Sequence, residues 1–284
     1  MNIFICKLAF FSVTCFVLLN LVAIFYDTTS RRRVEDPGGE IYDAIHRSHQ
    51  PSACPTIVVG DSVCHQLLTG YAPPDILSLG TNQAISMCGQ YLIARSAIEH
   101  DPAAKEIILA YLPDSFTNNL DQVFCYNYFV RPIYPYAEYR AQMSPLVQRL
   151  INRRPAARLA VLPLFRYTTL LSDIDYSKGT EKPTFAYLAP VSIEYLRKLS
   201  ELCDQHGIQL RIVSPPISLD RTYDKAVFLK EVTDAHLEKL FTGYPESIRL
   251  VDPQLLVDHI HFKEPNISAN SVIFIKMLKG EVSH

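Results

Sequence analysis

Five short apolar runs, rich in β-branched residues, are the feature that most constrains how this chain can fold. Helical patterns follow most of them, and this alternation predicts a parallel sheet with helices on both faces. Buried parallel strands are expected to be apolar throughout rather than alternating. The predicted strands are residues 56–60, 76–80, 106–112, 208–214 and 248–252.

A long region between the third and fourth predicted strands breaks this alternation. Residues 114–190 are crowded with tyrosine and arginine, and structureless loops of that length are uncommon in compact domains. We therefore expect an inserted helical subdomain, with helices at 143–152 and 156–171. Such an insertion either packs on the core or forms a binding surface, since tyrosine and arginine combine apolar area with a polar tip. Together, the strands, the helical patterns and the insertion predict an α/β, flavodoxin-like, three-layer α/β/α domain over residues 56–284, with about five parallel strands.

Residues 1–26 are predicted to form an N-terminal transmembrane helix. The run 8–25 is almost entirely apolar on every helical face, and it has about the ~20 residues that a helix needs to cross a bilayer. A cleaved signal normally has a shorter apolar stretch that ends in small residues, whereas two bulky aromatic residues end this one. A buried core helix is the other alternative. Residues 27–55 are polar and turn-rich and are interpreted as a stalk.

Charge and composition exclude some classes of partner. The 27 Lys+Arg against 29 Asp+Glu give a net charge of −2, so no nucleic-acid partner is expected. No CxxC pair or Cys/His cluster with zinc spacing occurs, so no metal is expected. Three arginines at 31–33 favour a cytoplasmic C-terminal domain by the positive-inside rule, but long domains translocate largely regardless of charge. Both orientations therefore stay open at this point.

The first predicted strand ends in Gly60-Asp61-Ser62, directly before a helical pattern. This places the Ser62 hydroxyl at the carboxyl edge of the sheet, where α/β folds bind their ligands. Backbone N–H groups and the helix dipole there can stabilise an oxyanion. Taken alone, the tripeptide favours the simpler interpretation, in which Asp61 or Ser62 is the helix N-cap.

A second polar cluster, near the C-terminus, changes that balance. Asp258, His259 and His261 follow the fifth predicted strand and precede the last helical pattern. An aspartate three residues before a histidine can hold one ring nitrogen while the other faces a serine. Ser62, Asp258 and His261 would then supply nucleophile, orienter and base, with His259 as a rival base. Each of the three C-terminal residues alone could instead cap the last helix.

These motifs resemble the SGNH, or GDSL-type, hydrolase superfamily over roughly residues 55–112 and 205–280. The matching pieces are the Gly-Asp-Ser at 60–62, a second block, Ser-Leu-Gly-Thr-Asn, at 78–82, and the late Asp-x-x-His at 258–261. The resemblance implies Ser62 as nucleophile, His261 as base and Asp258 as its orienter. It also implies an oxyanion hole made by the serine N–H, a second-block N–H and a third-block asparagine.

The third block departs from that pattern. Tyr-Leu-Pro-Asp occupies 111–114 where Gly-x-Asn-Asp is expected, so the asparagine is missing and Pro113 has no N–H to donate. Asn82, or Asn118 in the following loop, could replace it, and the predicted oxyanion hole comprises Gly80 and Asn82. A missing oxyanion donor typically costs ~10²–10³ in rate.

A divergent third block and an N-terminal anchor together are similar to the membrane-tethered, extracytoplasmic branch of the superfamily, which includes the D-alanyl transfer protein and the alginate O-acetylation proteins. This resemblance implies a serine esterase or O-acyltransferase that acts on cell-envelope carbohydrate through an acyl-serine intermediate and needs no cofactor. The implied partners are an acylated carbohydrate or cell-surface polymer and a membrane-bound O-acyltransferase. The implied location is the cytoplasmic membrane, with a single span and a periplasmic domain. The alternative is an inactive accessory subunit on the same fold that binds polysaccharide or a membrane acyltransferase.

Overall fold

The computed structural model describes residues 2–29, 38–121, 125–154, 157–166, 185–221 and 223–281. The chain divides into two compact units. One comprises Met1–Gly39 and Val123–Gly179, and the other comprises Glu40–Gln122 and Thr180–His284. In chain order, the described α-helices are α1 (Asn2–Thr29), α2 (Gly39–Ser48), α3 (Ser62–Leu68), α4 (Ser86–His100), α5 (Ala137–Gln142), α6 (Pro145–Asn152), α7 (Pro163–Arg166), α8 (Pro190–His206), α9 (Lys225–Asp234) and α10 (Glu264–Leu278).

A four-stranded parallel sheet forms the centre of the second unit. Its strands lie in the order β2-β1-β3-β4, and they are β1 (Thr56–Gly60), β2 (Ile76–Gly80), β3 (Glu106–Ala110) and β4 (Gln209–Val213). Helix α4 packs on α8, and α3 packs on α10. The predicted α/β class with a central parallel sheet and surrounding helices is therefore confirmed.

The two helix layers bury opposite sides of the central strands. Val58 and Ile108 belong to one apolar cluster with side chains of α3 and α10. Ile57 and Val59 are also fully buried, although successive residues of a strand point to opposite faces. Burial on both faces explains why these strands are apolar throughout.

The predicted fifth strand occupies a different place from the one expected. Residues 250–251 form β6 (Leu250–Val251), which pairs in parallel with β5 (Ile217–Ser218) in a separate two-stranded sheet. Pro215 and Pro216 lie between the end of β4 and the start of β5 and have no N–H to donate, so they interrupt the backbone pairing there.

Helix α2 lies within the segment that the sequence suggested as a stalk. Its residues Ile41, Ala44 and Ile45 are buried, so part of that segment is packed structure. Residues 30–37 of the suggested stalk lie outside the described residues.

The first unit contains α1 and the helices of the insertion. Residues 3–25 of α1 form the one described helix that is long and apolar enough to cross a membrane, which also fits a signal sequence. The helix predicted at 143–152 is present as α6. The one predicted at 156–171 is wrong within 157–166, where only the short α7 forms, because a proline at 163 cannot continue a helix from the preceding turn. Residues 167–171 lie outside the described residues.

Two glycines allow α3 to lie directly against the ends of β1 and β2. Gly60 and Gly80 are opposite each other in the register of the two strands. A Cβ added at Gly60 would lie 2.7 Å from Cys64 Cβ of α3 and would also clash with the carbonyl oxygen of Ala110 on β3. One added at Gly80 would lie 2.7 Å from the backbone nitrogen of His65 on α3. Neither position can accept a side chain unless the surrounding backbone moves.

We expect Gly60→Ala and Gly80→Ala each to lower the free energy of unfolding by about 1–3 kcal/mol, because the added methyl group overpacks the contact between α3 and the strands. Denaturant unfolding of the purified full-length chain measures this. Val272→Ala, at a half-exposed position on α10, is the control and should stay within about 0.5 kcal/mol of wild type. Stability equal to wild type in both glycine variants would contradict the close approach.

Candidate active site

Ser62 is the first residue of α3, and only Asp61 separates it from the end of β1 at the carboxyl edge of the sheet. The first N–H groups of a helix have no partner within the helix and carry its positive end. Among the described residues, the Ser62 N–H donates no hydrogen bond. This N–H is therefore left available beside the Ser62 hydroxyl.

The structure brings together the three residues predicted as a triad. Ser62 Oγ lies 2.8 Å from His261 Nε2, and His261 Nδ1 lies 2.8 Å from Asp258 Oδ2. The serine and the histidine are 199 residues apart in the sequence. These are the contacts that a nucleophile, a base and its orienter require.

Gln66 holds the histidine loop against the helix that carries Ser62. Its Nε2 donates to the carbonyl oxygen of Phe262 at 2.9 Å, and its Oε1 accepts from the Phe262 N–H at 2.8 Å. Gln66 lies four residues after Ser62, so both side chains share one face of α3. Gln66 was not among the residues predicted for the site, although its position one turn beyond the serine was a usable signal.

The backbone around His261 is fixed by further pairing. The Val257 N–H donates to the His261 carbonyl oxygen at 2.8 Å, and Leu256 and Phe262 form an antiparallel bridge. Phe262 is buried beside α3 in the apolar cluster. The loop is therefore a short closed turn whose ends are anchored in the core.

Asp258 is held in its charged form by the same loop. Its Oδ1 accepts from the backbone N–H groups of His261 at 2.8 Å and Ile260 at 3.3 Å. Partial burial acts to raise the pKa of Asp258, but the bonds from the His261 side chain and these two N–H groups outweigh it and lower that pKa. Because the pKa is lower in the folded state, the stabilisation by the Asp258 carboxylate is present above its ordinary value and is lost as the pH falls through the folded value.

His259, the rival base, has its own carboxylate and does not contact Ser62. Its Nδ1 lies 3.1 Å from Asp220 Oδ2, and its side chain is 69% exposed. Its backbone is in the left-handed region with φ of 68°, which turns the chain between the two histidines. Of the two, only His261 has a hydrogen bond to the serine.

Asp61 ties the helix of Ser62 to the loop after β3. Its Oδ1 accepts from the N–H groups of Val63 at 3.1 Å and Cys64 at 3.3 Å, which makes it the N-cap of α3. Its Oδ2 accepts from the Leu112 N–H at 2.7 Å and from Ser115 Oγ at 2.9 Å. Burial raises the pKa of Asp61, and the four donors oppose that change. Asp61 is therefore the N-cap of α3, while Ser62 makes the hydrogen bond to His261.

The predicted oxyanion donors differ in what their polar groups contact. Asn82 Oδ1 accepts from the Ala84 N–H at 2.9 Å, while no hydrogen bond involves its Nδ2 among the described residues. Gly80 ends β2, and its carbonyl oxygen is 3.0 Å from His65 Nδ1. Asn118 is buried and donates its Nδ2 to the Gln83 carbonyl oxygen at 2.8 Å. Asn118 is thus engaged elsewhere, whereas Asn82 keeps a side-chain NH₂ without a hydrogen bond among the described residues, two residues after the end of β2.

The third block is used for structure in this chain. The Leu112 N–H goes to Asp61, and Pro113 begins a short 3-10 helix, Pro113–Thr117. Asp114 pairs with Arg221. None of these groups is free to replace the missing asparagine.

Cys64 is the other nucleophilic side chain on α3. It is fully buried, and burial followed by the charge of Asp61 raises its thiol pKa well above the ordinary value. A buried neutral thiol is inert. Within the described ranges, no group of three His, Cys, Asp or Glu side chains could hold a metal ion.

No protein-family model and no curated protein matches the sequence. Among solved structures, a GDSL-like lipase from Bacteroides thetaiotaomicron is similar at 9% identity with a TM-score of 0.41, over 86% of this chain and 99% of that chain. A Streptococcus pneumonia protein, described provisionally as a platelet activating factor, is similar at 13% identity with a TM-score of 0.35, over 86% of this chain and 94% of that chain.

We expect Asp61→Asn to lower the free energy of unfolding by about 2–3 kcal/mol, because an amide NH₂ would replace an oxygen that accepts hydrogen bonds in a buried place. Ser62→Ala should change it by less than about 1 kcal/mol, since the serine hydroxyl is only partly buried. Thermal and denaturant unfolding of the two full-length variants compare them. Equal stability of Asp61→Asn and wild type would contradict the tying role of this carboxylate.

Proposed function

We propose that this chain is a membrane-anchored serine esterase or O-acyltransferase that acts through an acyl-Ser62 intermediate. The observation that carries the proposal is the continuous chain of hydrogen bonds from Ser62 Oγ through His261 to Asp258. An unactivated serine is a weak nucleophile at neutral pH, and an adjacent base removes that limit. Ester, thioester and activated acyl groups are the substrates on which such a serine acts.

The proposed reaction has two half-reactions. Ser62 Oγ attacks the acyl carbonyl carbon while His261 Nε2 takes the hydroxyl proton, and the resulting imidazolium is stabilised by the Asp258 carboxylate. Collapse of the tetrahedral species expels the leaving alcohol, which takes the proton from His261. Water or a sugar hydroxyl then gives its proton to His261 and attacks the acyl carbonyl carbon. Collapse of this second tetrahedral species breaks the bond to Ser62 Oγ, which takes the proton back from His261, and releases an acid or a new ester.

The oxyanion is proposed to form beside the Ser62 N–H, Gly80 and the Asn82 side chain. The unoccupied Ser62 N–H and the uncommitted Nδ2 of Asn82 support this arrangement. Gly80 and Gly60 are paired in the register of β1 and β2, which places the residues that follow them at the same edge of the sheet. Preorganised donors of this kind are worth about 10²–10³ in rate each.

The location and substrate class belong to the same proposal. Residues 3–25 of α1 have the length and composition of a membrane span, and the absence of the third-block asparagine fits the tethered branch that the sequence resembles. The acyl group is proposed to move to or from a carbohydrate of the cell envelope, on the periplasmic side of the cytoplasmic membrane. A membrane-bound O-acyltransferase is the proposed partner.

A second candidate function is an accessory subunit without catalysis of its own. Pro113 at the third block favours it, because it supplies neither a side-chain amide nor an N–H. The triad geometry favours catalysis, since an inactive subunit has no need for a serine within hydrogen-bond distance of a carboxylate-paired histidine. The following measurement separates the two.

We expect the full-length chain in detergent to hydrolyse p-nitrophenyl acetate, and Ser62→Ala to abolish that activity. His261→Gln should reduce it by about 10²–10⁴, because the general base is removed. His259→Gln is the matched control on the same loop and should stay within about twofold, since His259 pairs with Asp220 instead of Ser62. Addition of a methyl glycoside as acceptor, followed by mass spectrometry of the products, distinguishes acyl transfer from hydrolysis.

Wild-type activity no greater than that of Ser62→Ala, in a folded sample, would reject catalysis and favour the accessory subunit. Equal losses in His259→Gln and His261→Gln would reject the assignment of the base.

A further inference from the structure

An apolar segment of the insertion packs on α1 within the first unit. Helix α7 contacts α1, and the Leu164 N–H donates to Asn20 Oδ1 at 3.2 Å. Asn20 Nδ2 in turn donates to the Phe16 carbonyl oxygen at 2.8 Å. Ala23, one turn further along α1, is buried, whereas most of this helix is exposed. The side of α1 that carries Asn20 and Ala23 is therefore the side on which the insertion rests.

The depth of this contact along α1 is defined by the sequence. Asn20 lies five residues before Phe25, the last residue of the candidate span. At 1.5 Å per residue this is about 7–8 Å from the end of the span. Peripheral segments that lie in the plane of a membrane bury their apolar face by about 5–10 Å into the boundary between headgroups and acyl chains. The contact on α1 falls at that depth.

The segment that leads into this contact is apolar and partly exposed. Residues 157–165 read Ala-Arg-Leu-Ala-Val-Leu-Pro-Leu-Phe, and Leu159 is 40% and Val161 38% exposed. Exposed large apolar side chains in the same unit as an exposed apolar helix add to its apolar surface, and large exposed apolar surfaces mark interaction sites.

The charges around this segment are mostly positive. Residues 125–166 contain seven arginines and a single acidic residue, Glu138. Arg149, Arg153 and Arg158 are exposed. Basic side chains next to an apolar segment fit a membrane surface that carries anionic headgroups, with about 1 kcal/mol for each arginine near the surface.

We infer that residues 157–165 insert into the headgroup boundary of an anionic bilayer beside α1, with the exposed arginines on lipid phosphates. This inference rests on the membrane anchor of the proposed function, and it adds a second, peripheral membrane contact made by the insertion. Asn20 connects the span α1 with the peripheral segment, because its amide oxygen accepts a hydrogen bond from the Leu164 N–H of α7. This hydrogen bond lies at the depth of the headgroup boundary. An amide inside an apolar span is costly when it has no such partner.

The chain contains no tryptophan, so a single introduced tryptophan reports on one position. Leu159→Trp and Val161→Trp are made separately in the full-length chain, which is reconstituted into vesicles of phosphatidylcholine and phosphatidylglycerol with or without bromine on the acyl chains near the headgroup. We expect the brominated lipid to quench the emission of both variants at least twofold. Phe11→Trp, on α1, is the positive control for the anchor, and Val272→Trp, on α10, is the negative control.

The outcomes separate the segment from the anchor. Quenching of Phe11→Trp without quenching at positions 159 and 161 would overturn the inference while leaving the anchor in place. Absence of quenching in Phe11→Trp would overturn both, whereas the ester hydrolysis assay would be unaffected. A blue-shifted emission at 159 and 161 that depends on protein concentration, without quenching, would show that a second copy of the chain covers the segment, which also overturns the inference.

The role of the arginines has its own measurement. In vesicles of phosphatidylcholine alone, we expect the quenching of Leu159→Trp to fall while that of Phe11→Trp stays the same, because only the peripheral contact depends on headgroup charge. Equal quenching of Leu159→Trp in both kinds of vesicle would contradict the role of the arginines.

Discussion

The buried carboxylate of Asp61 is the interaction on which the candidate site depends. One of its oxygens caps α3, and the other accepts from the Leu112 N–H and Ser115 of the segment after β3. The side chain thereby fixes the start of α3 relative to the ends of two neighbouring strands. Ser62 follows it directly, so the position of the hydroxyl and of its N–H is determined by a residue that takes no part in the proposed chemistry.

The rest of the site is assembled on that fixed helix. Gly60 and Gly80 permit α3 to approach the strand ends, and Gln66 holds the backbone of Phe262 one turn beyond the serine. His261 is the residue before Phe262, so the base is positioned by the same helix that carries the nucleophile. The third block has a structural role here, since the Leu112 N–H binds Asp61. A proline is compatible with the fold at position 113 because it is the first residue of the 3-10 helix, where its backbone nitrogen needs no hydrogen-bond partner.

Ser62 could be predicted from the sequence, because a polar residue just after a buried parallel strand lies at the carboxyl edge of the sheet. Asp258 and His261 could be predicted from their spacing, since an aspartate three residues before a histidine can hold one ring nitrogen while the other faces a serine. The place of the fifth strand could not be predicted, since a two-residue pairing carries almost no pattern. Gln66 was missed because its partner is a backbone group 196 residues away in the chain. The helix expected at 156–171 does not form over residues 157–162, because the proline at 163 cannot continue a helix from the preceding turn.

The activation of Ser62 is tested most directly by reaction of the full-length chain with a fluorophosphonate, followed by intact-mass spectrometry and peptide mapping. An activated serine forms a covalent phosphonate ester with such a probe, whereas an ordinary serine does not. If Ser62 is a nucleophile activated by His261, we expect one adduct per chain, located on Ser62, and no adduct in Ser62→Ala or His261→Gln. A folded wild-type chain that stays unlabelled, or that is labelled at another residue, would contradict the claim that Ser62 is an activated nucleophile.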